Sequence, residues 1–141
     1  MRQKKTSLQK LKREVWKVFS KYIRLRDSLA TTGSLEYCEC ITCPETLPIQ
    51  QLQAGHFVPK HNGNYFSERG VHAQCRTCNL YGKNGQAPGM PHEYRRQMVK
   101  MYGEESTLEL ESEPGKIKKF TIQELEELKS SLLERIKELK E

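Results

Sequence analysis

The chain has 141 residues, of which 35% are hydrophobic and 30% are charged, so it has room for one modest domain with appended helices but not for two full domains. No apolar run is long enough to cross a bilayer, and the N-terminus lacks the apolar segment of a signal peptide. We therefore expect a cytoplasmic protein with reduced cysteines and no membrane partner.

The net charge of +6 is unevenly distributed along the chain. Residues 1–26 carry ten Lys or Arg residues against one acidic residue, whereas residues 104–141 carry seven against eleven. A basic segment of this density is typical of proteins that bind phosphate backbones, although a solvated helix face is the ordinary alternative. The acidic C-terminal segment would repel phosphate, so we expect it to pack on a partner or on the N-terminal segment.

Residues 1–33 are predicted to form a basic N-terminal helix. From Leu8 to Leu29, apolar residues recur at spacings of three and four, which is the period of one helix face. That face would pack either against the rest of the chain or against a second copy in a homodimer. The basic residues that remain available to solvent or DNA are Lys10, Arg13, Lys17, Lys21 and Arg24.

Residues 34–103 are predicted to form the core of the protein. Short apolar or β-branched runs at 47–52, 54–58 and 71–74 are separated by turn residues, and they indicate a β-hairpin whose outer ends carry the two cysteine pairs. A short helix is expected to open at Asn79.

Two further helices complete the predicted organisation, which is of the α+β class. One is expected over about 92–102, and a polar linker is expected at 104–120. Residues 121–141 have the pattern of an amphipathic helix, which begins with the capping-box pair Thr121 and Glu124.

Two Cys-x-x-Cys pairs, Cys40 with Cys43 and Cys75 with Cys78, have the spacing of zinc ligands. Each turn directs two thiolates towards one ion, and two turns complete a tetrahedral shell. A closed shell of four thiolates has no open position for water, so this zinc is expected to support folding rather than catalysis. Cys38 is expected to be a spare thiol.

His56 and Asn79 are the candidates for chemistry. His56 lies between the cysteine pairs, and Asn79 directly follows the last cysteine. A neutral imidazole can deprotonate water near physiological pH, and an amide oxygen can help to hold hydrated Mg²⁺ against a phosphate. This pairing suits phosphodiester hydrolysis. The remaining histidines are expected to be ordinary surface or core residues, and they are His61, His72 and His92.

These residues resemble the HNH, or ββα-metal, nucleases, in which a His ends the first strand and a Cys-x-x-Cys-[His/Asn] turn opens the helix. His56, Pro59 and the run Cys75-x-x-Cys78-Asn79 match that pattern. More narrowly, residues 7–103 resemble the NinG (Rap) family of lambdoid phage recombination proteins. The motifs that carry this resemblance are Ala54-Gly55-His56-Phe57, residues 70–79 and His92-Glu93-Tyr94-Arg95, beside the basic N-terminal helix.

The resemblance implies a small HNH-like core with a zinc site of four cysteines, which the predicted N-terminal and C-terminal helices would flank. It also implies a structure-specific DNA endonuclease that cuts branched recombination intermediates such as Holliday junctions and D-loops. His56 would be the general base, and Asn79 a ligand of a catalytic Mg²⁺ or Mn²⁺. Gly55 and Gly70 depart from the pattern, because many HNH nucleases have an acidic residue and an Asn at these positions.

Two alternatives stay open at this level. One is a non-catalytic zinc protein that binds branched DNA as a recombination accessory, and the glycines at positions 55 and 70 favour this alternative. The other is a zinc ribbon that binds only proteins. The expected partners are branched or other double-stranded DNA, a second copy of the chain, and host or phage recombination proteins. The basic residues predicted to contact phosphates near the site are Lys60, Arg69, Arg76 and Lys83.

Overall fold

A long helix and two small hairpins form the first part of the structure. The computed structural model describes residues 7–59, 64–112 and 118–141. Helix α1 spans Ser7–Thr32. The antiparallel hairpins are β1 (Tyr37–Glu39) with β2 (Thr46–Pro48), and β3 (Leu52–His56) with β4 (Val71–Cys75).

Four helices follow the second hairpin. They are α2 (Arg76–Leu80), α3 (Pro91–Tyr102), α4 (Glu104–Ser112) and α5 (Ile122–Lys140). The predicted α+β class is confirmed. Within the described ranges, none of these helices combines the length and the apolar content that crossing a bilayer requires.

The predicted single hairpin is in fact two two-stranded sheets. The run at 47–52 is not one strand, because Pro48 ends β2 and a 3₁₀ turn at Ile49–Gln51 redirects the chain into β3. The first hairpin carries Cys40 and Cys43 in its own connecting turn. The first cysteine pair is therefore presented by a separate hairpin, not by the end of the second one.

The segment predicted as a linker at 104–120 contains helix α4. Gly103, with a φ of +90°, ends α3 and reverses the chain, so that α4 packs against α3. Arg95 on α3 pairs with Glu104 at 2.6 Å and with Glu111 at 3.1 Å. The sequence did not predict α4 because its polar composition gives no apolar stripe. The cation that pairs with its acidic residues, Arg95, lies on α3.

The main core lies between α1, α5 and the second hairpin. Phe19 and Ile23 of α1 and Leu125 and Leu132 of α5 are fully buried, and Val71 of β4 belongs to the same cluster. The apolar face of α1 therefore packs within the chain, against the C-terminal helix and the β3–β4 sheet. This is one of the two arrangements that the sequence left open.

Helix α1 also covers the outer edge of β4. Asp27 accepts a hydrogen bond from the backbone N–H of Ala73 at 2.7 Å, and Arg26 donates to the carbonyl of Val71 at 2.8 Å. Arg26 and Asp27 form an ion pair at 2.9 Å. These bonds satisfy backbone groups of an edge strand and fix the sheet against the helix.

His72 of β4 is a buried structural residue on the face of the sheet opposite to Val71. Its Nε2 lies 2.8 Å from the hydroxyl of Tyr102, and its Nδ1 has no hydrogen-bond partner in the part of the chain that the structure describes. Burial lowers the pKa of His72 to about 4. The expectation that His72 is an ordinary core residue agrees with this placement.

The low pKa of His72 predicts a loss of stability in acid. The ring is protonated near pH 6.5 in the unfolded chain but only near pH 4 in the folded chain. The free energy of unfolding is therefore unaffected by this ring above pH 6.5 and decreases as the pH falls from 6.5 towards 4. The expected loss is about 3 kcal/mol. Urea unfolding at saturating zinc should show it. The variant His72→Phe should lack this part of the pH dependence. If its free energy of unfolding varied with pH as in the unchanged protein, the low pKa of His72 would be contradicted.

Candidate metal centre and cleft

The four predicted zinc ligands converge at one point. The sulfur atoms of Cys40, Cys43, Cys75 and Cys78 all lie within 4.8 Å of one another, and those of Cys43 and Cys75 are 3.8 Å apart. A tetrahedral zinc with bonds of about 2.3 Å places its sulfurs about 3.8 Å apart. The cluster could therefore hold a structural metal such as zinc.

Backbone groups support this sulfur cluster. The N–H of Cys75 donates to the sulfur of Cys40 at 3.2 Å, and the N–H of Cys78 donates to the sulfur of Cys75 at 3.4 Å. The N–H of Ile41 donates to the carbonyl of Ala73 at 3.0 Å, which joins the first cysteine turn to β4. The sulfur cluster thus connects the two hairpins and the start of α2.

Lys83 lies at the rim of the metal centre. Its ammonium is 3.4 Å from the sulfur of Cys43 and 2.8 Å from the carboxylate of Glu45. The hydrogen bond to Glu45 raises the pKa of Lys83, so this side chain stays charged. With a metal bound, this positive charge would offset part of the charge of the four thiolates, a role that the sequence prediction of a DNA contact did not include.

Cys38 lies outside the group of four sulfurs. Its side chain is fully buried, and this burial raises the pKa of the Cys38 thiol to about 12. The thiol is therefore protonated at neutral pH, as a spare core cysteine would be.

His56 and Asn79 line the same cleft. The cleft has a volume of about 640 Å³ and runs between α1, β3 and α2, with Trp16 and Arg24 on its α1 side. His56 is the last residue of β3, and Asn79 lies in the short helix that the zinc turn opens. The two candidates, which are 23 positions apart in the chain, thus share one accessible surface.

Aromatic packing holds the ring of His56. The ring stacks on the indole of Trp16, with centroids 5.3 Å apart and planes 11° apart, and its Nε2 lies 3.1 Å from the carbonyl oxygen of Tyr65. Since a carbonyl only accepts hydrogen bonds, this contact places the proton on Nε2 and the lone pair on Nδ1. Sequence reasoning treated Trp16 only as part of an apolar stripe.

Asn64 braces the segment that follows His56. Its side-chain amide donates to the carbonyls of Val58 and Pro59, both at 3.2 Å. The backbone of Gly70 contributes as well, because its carbonyl accepts from Phe57 at 2.9 Å. The side chain of Asn64 and the backbone of Gly70 thus hold this segment together.

A protein-family model described as bacteriophage lambda NinG protein matches residues 1–141. The chain belongs to the NinG family. The match extends beyond residues 7–103, where the sequence resemblance was recognised, and it includes the C-terminal helix. No curated protein and no solved structure matches the chain.

The other basic residues that were predicted to contact DNA in this NinG-family protein lie in different environments. One group is exposed on α1 or at the start of α2, and it comprises Lys10, Arg13, Lys17, Lys21 and Arg76. Arg24 is half-buried in the cleft and donates to the carbonyl of Ile49 at 3.1 Å. Arg69 donates to Ser106 at 2.7 Å and so contacts α4. Lys60 and His61 lie outside the described residues.

Proposed function

We propose that this NinG-family protein is a structure-specific endonuclease that hydrolyses branched DNA recombination intermediates with a divalent cation. The observation that carries the proposal is the shared cleft of His56 and Asn79, which opens beside the basic helix α1. The order of β3, β4 and α2, with the His at the end of the first strand, supports an HNH-like, or ββα-metal, core.

In this mechanism His56 accepts a proton from the attacking water. The stacking on Trp16 and the contact with Tyr65 hold the ring in one orientation, so the lone pair on Nδ1 has a fixed direction. Asn79 supplies an amide oxygen, which is a suitable ligand for Mg²⁺ or Mn²⁺. The cation, when bound, stabilises the charge that develops on the phosphate and on the leaving oxygen.

The placement of the acidic residues favours a single catalytic cation. Within residues 7–59, 64–112 and 118–141, the four cysteines form the one group of three or more His, Cys, Asp or Glu side chains that could share a metal. Asp27, the single aspartate of the chain, is engaged with β4 and Arg26. A carboxylate-clustered two-metal site therefore has no support among these residues.

Helix α1 would guide the DNA towards the cleft. The helix has 26 residues, which corresponds to about 39 Å, and Lys10, Arg13, Lys17 and Lys21 are exposed along it. Arg24 follows them into the cleft. Lysine and arginine side chains spaced along such a length can contact successive phosphates.

Removing two of these charges should weaken DNA binding. For Lys17→Ala/Lys21→Ala we expect lower affinity for a four-way junction, and the slope of log affinity against log salt should become shallower by about two. Fluorescence anisotropy over a salt series measures both quantities. Lys137→Ala/Lys140→Ala, which removes the same charge from α5, is the matched control. Equal effects of the two pairs would contradict a specific role for α1.

The test of the function is a cleavage assay. Purified zinc-loaded protein is incubated with a labelled four-way junction and with a linear duplex of the same sequence, with Mg²⁺, with Mn²⁺ and without added divalent cation. Metal-dependent cleavage of the junction supports the proposal. Salt-sensitive binding without product at any metal concentration would favour the non-catalytic accessory protein. A lack of salt-sensitive binding would favour a zinc ribbon that binds only proteins.

Symmetric cutting of a junction needs two active sites, which is why a homodimer stays part of the proposal. Because the apolar face of α1 is covered by α5 and the second hairpin, a dimer would use a different surface. Light scattering of the purified protein measures its oligomeric state. Host or phage recombination proteins stay predicted as further partners.

A further inference from the structure

Gln74 is a fully buried polar residue on β4, with an exposed fraction of 0%. Its amide nitrogen donates to the hydroxyl of Thr42 at 3.0 Å and to the carbonyl of Gly89 at 2.9 Å. Because a backbone carbonyl only accepts, the contact with Gly89 fixes which end of the amide is the nitrogen. The oxygen, Oε1, has no hydrogen-bond partner among the residues that the structure describes.

This oxygen occupies the space where a side chain at position 55 would extend. A Cβ added to Gly55 would collide with Gln74 Oε1 and would lie 3.1 Å from Asn79 Oδ1. The nitrogen of the Asn79 amide donates to Gln53 at 2.8 Å, so its oxygen is turned towards the same gap. Two amide oxygens from β4 and α2 therefore converge over Gly55.

An unpartnered buried amide oxygen is destabilising, so such groups are rare unless a ligand or water completes them. Both oxygens here are hard, neutral donors of the kind that Mg²⁺ and Mn²⁺ accept.

We propose that Gln74 Oε1 is a second protein ligand of the divalent cation, beside Asn79 Oδ1. This inference rests on the proposed function, because it uses the same cation and the same ligand Asn79. A side chain at position 55 would expel the Gln74 oxygen, so Gly55 and Gln74 act as a matched pair.

The ligand pair is neutral, which determines how the cation binds. The two amide oxygens carry no negative charge to offset dehydration of Mg²⁺ or Mn²⁺, so the DNA phosphate would provide it. The cation should therefore bind the protein–DNA complex more tightly than it binds either component.

The test measures binding of Mn²⁺ by electron paramagnetic resonance of the free ion. Zinc-loaded His56→Ala protein is used as the parent, so that the four-way junction is not cut during the titration. Gln74→Met keeps the length of the side chain but removes the oxygen, and Gly55→Ala keeps Gln74 but adds the Cβ that displaces it. Both are expected to weaken Mn²⁺ binding to the complex by about ten- to hundredfold. Zinc content and melting temperature verify the fold.

The pair Gly55→Asp/Gln74→Ala provides the reverse test. It places a carboxylate in the gap and removes the oxygen that would collide with it, so Mn²⁺ should bind this variant without DNA more tightly than it binds the parent. Unchanged Mn²⁺ affinity in both Gln74→Met and Gly55→Ala, with zinc retained, would overturn the role of Gln74. In that case Asn79→Ala separates the two proposals. If Asn79→Ala weakened Mn²⁺ binding, only the role of Gln74 would fail; if Asn79→Ala also left Mn²⁺ binding unchanged, the proposed cation site itself would fail.

Discussion

Replacing Cys78 with Ser is expected to abolish stoichiometric zinc binding and to unfold the central part of the protein. Cys78 is fully buried, and its sulfur belongs to the cluster that joins the two hairpins to α2. Structural zinc contributes about 10–16 kcal/mol to folding in small zinc domains, whereas whole domains are stable by only about 5–15 kcal/mol. Zinc content by mass spectrometry and thermal unfolding by circular dichroism measure the two effects.

Cys38→Ser is the matched control for this prediction. Cys38 is equally buried, but its sulfur is not part of the cluster. This variant should retain one zinc per chain and unfold cooperatively, with at most a small loss of stability from the buried hydroxyl. Retention of one zinc and a native unfolding transition by Cys78→Ser would contradict the assignment of the metal centre.

His56→Ala is expected to lower the rate of junction cleavage by about 10²- to 10⁴-fold, the range that a positioned general base contributes. Binding of the junction should be nearly unchanged, because the imidazole lies in the cleft while the exposed positive charge lies on α1. Single-turnover cleavage measures the chemical step, and anisotropy under the same conditions measures binding.

The control for this variant is His92→Ala, which removes an exposed imidazole from the first turn of α3. Its rate should equal that of the unchanged protein. Cleavage by His56→Ala at the original rate would exclude His56 as the general base. Equal losses of zinc and cleavage in His56→Ala would instead show that this residue acts through the fold.

Local patterns were sufficient for the long helices and for the cysteines that form the four-sulfur cluster. The apolar spacing of α1 and α5 is set by the helical repeat, and the capping box of Thr121 and Glu124 is formed as predicted, with both reciprocal hydrogen bonds present. The two cysteine pairs carry their ligand geometry within four residues each. In all these cases the partners that define the feature lie within one or two helical turns of one another or within one tight turn.

Features that depend on distant partners were not predictable in this way. Helix α4 is rich in Glu and Ser, its two leucines form no stripe at helical spacing, and the cation that pairs with its acidic residues, Arg95, lies on α3. Lys83 is a residue type that commonly contacts DNA, but the fold places it against Cys43 and Glu45, which lie about 40 positions earlier in the chain. The first hairpin was missed because its strands have only three residues each, too few for a periodic signal.

The sequence alone therefore singled out the four cysteines, His56 and Asn79 as candidates, since residue type and short spacing define what each group can bind or accept. Only the tertiary structure decided that the four sulfurs meet, that His56 stacks on Trp16, and that Gln74 occupies the gap at Gly55. Each of these contacts joins residues separated by 19 positions or more, and chain folding brings them together through packing that no local period records.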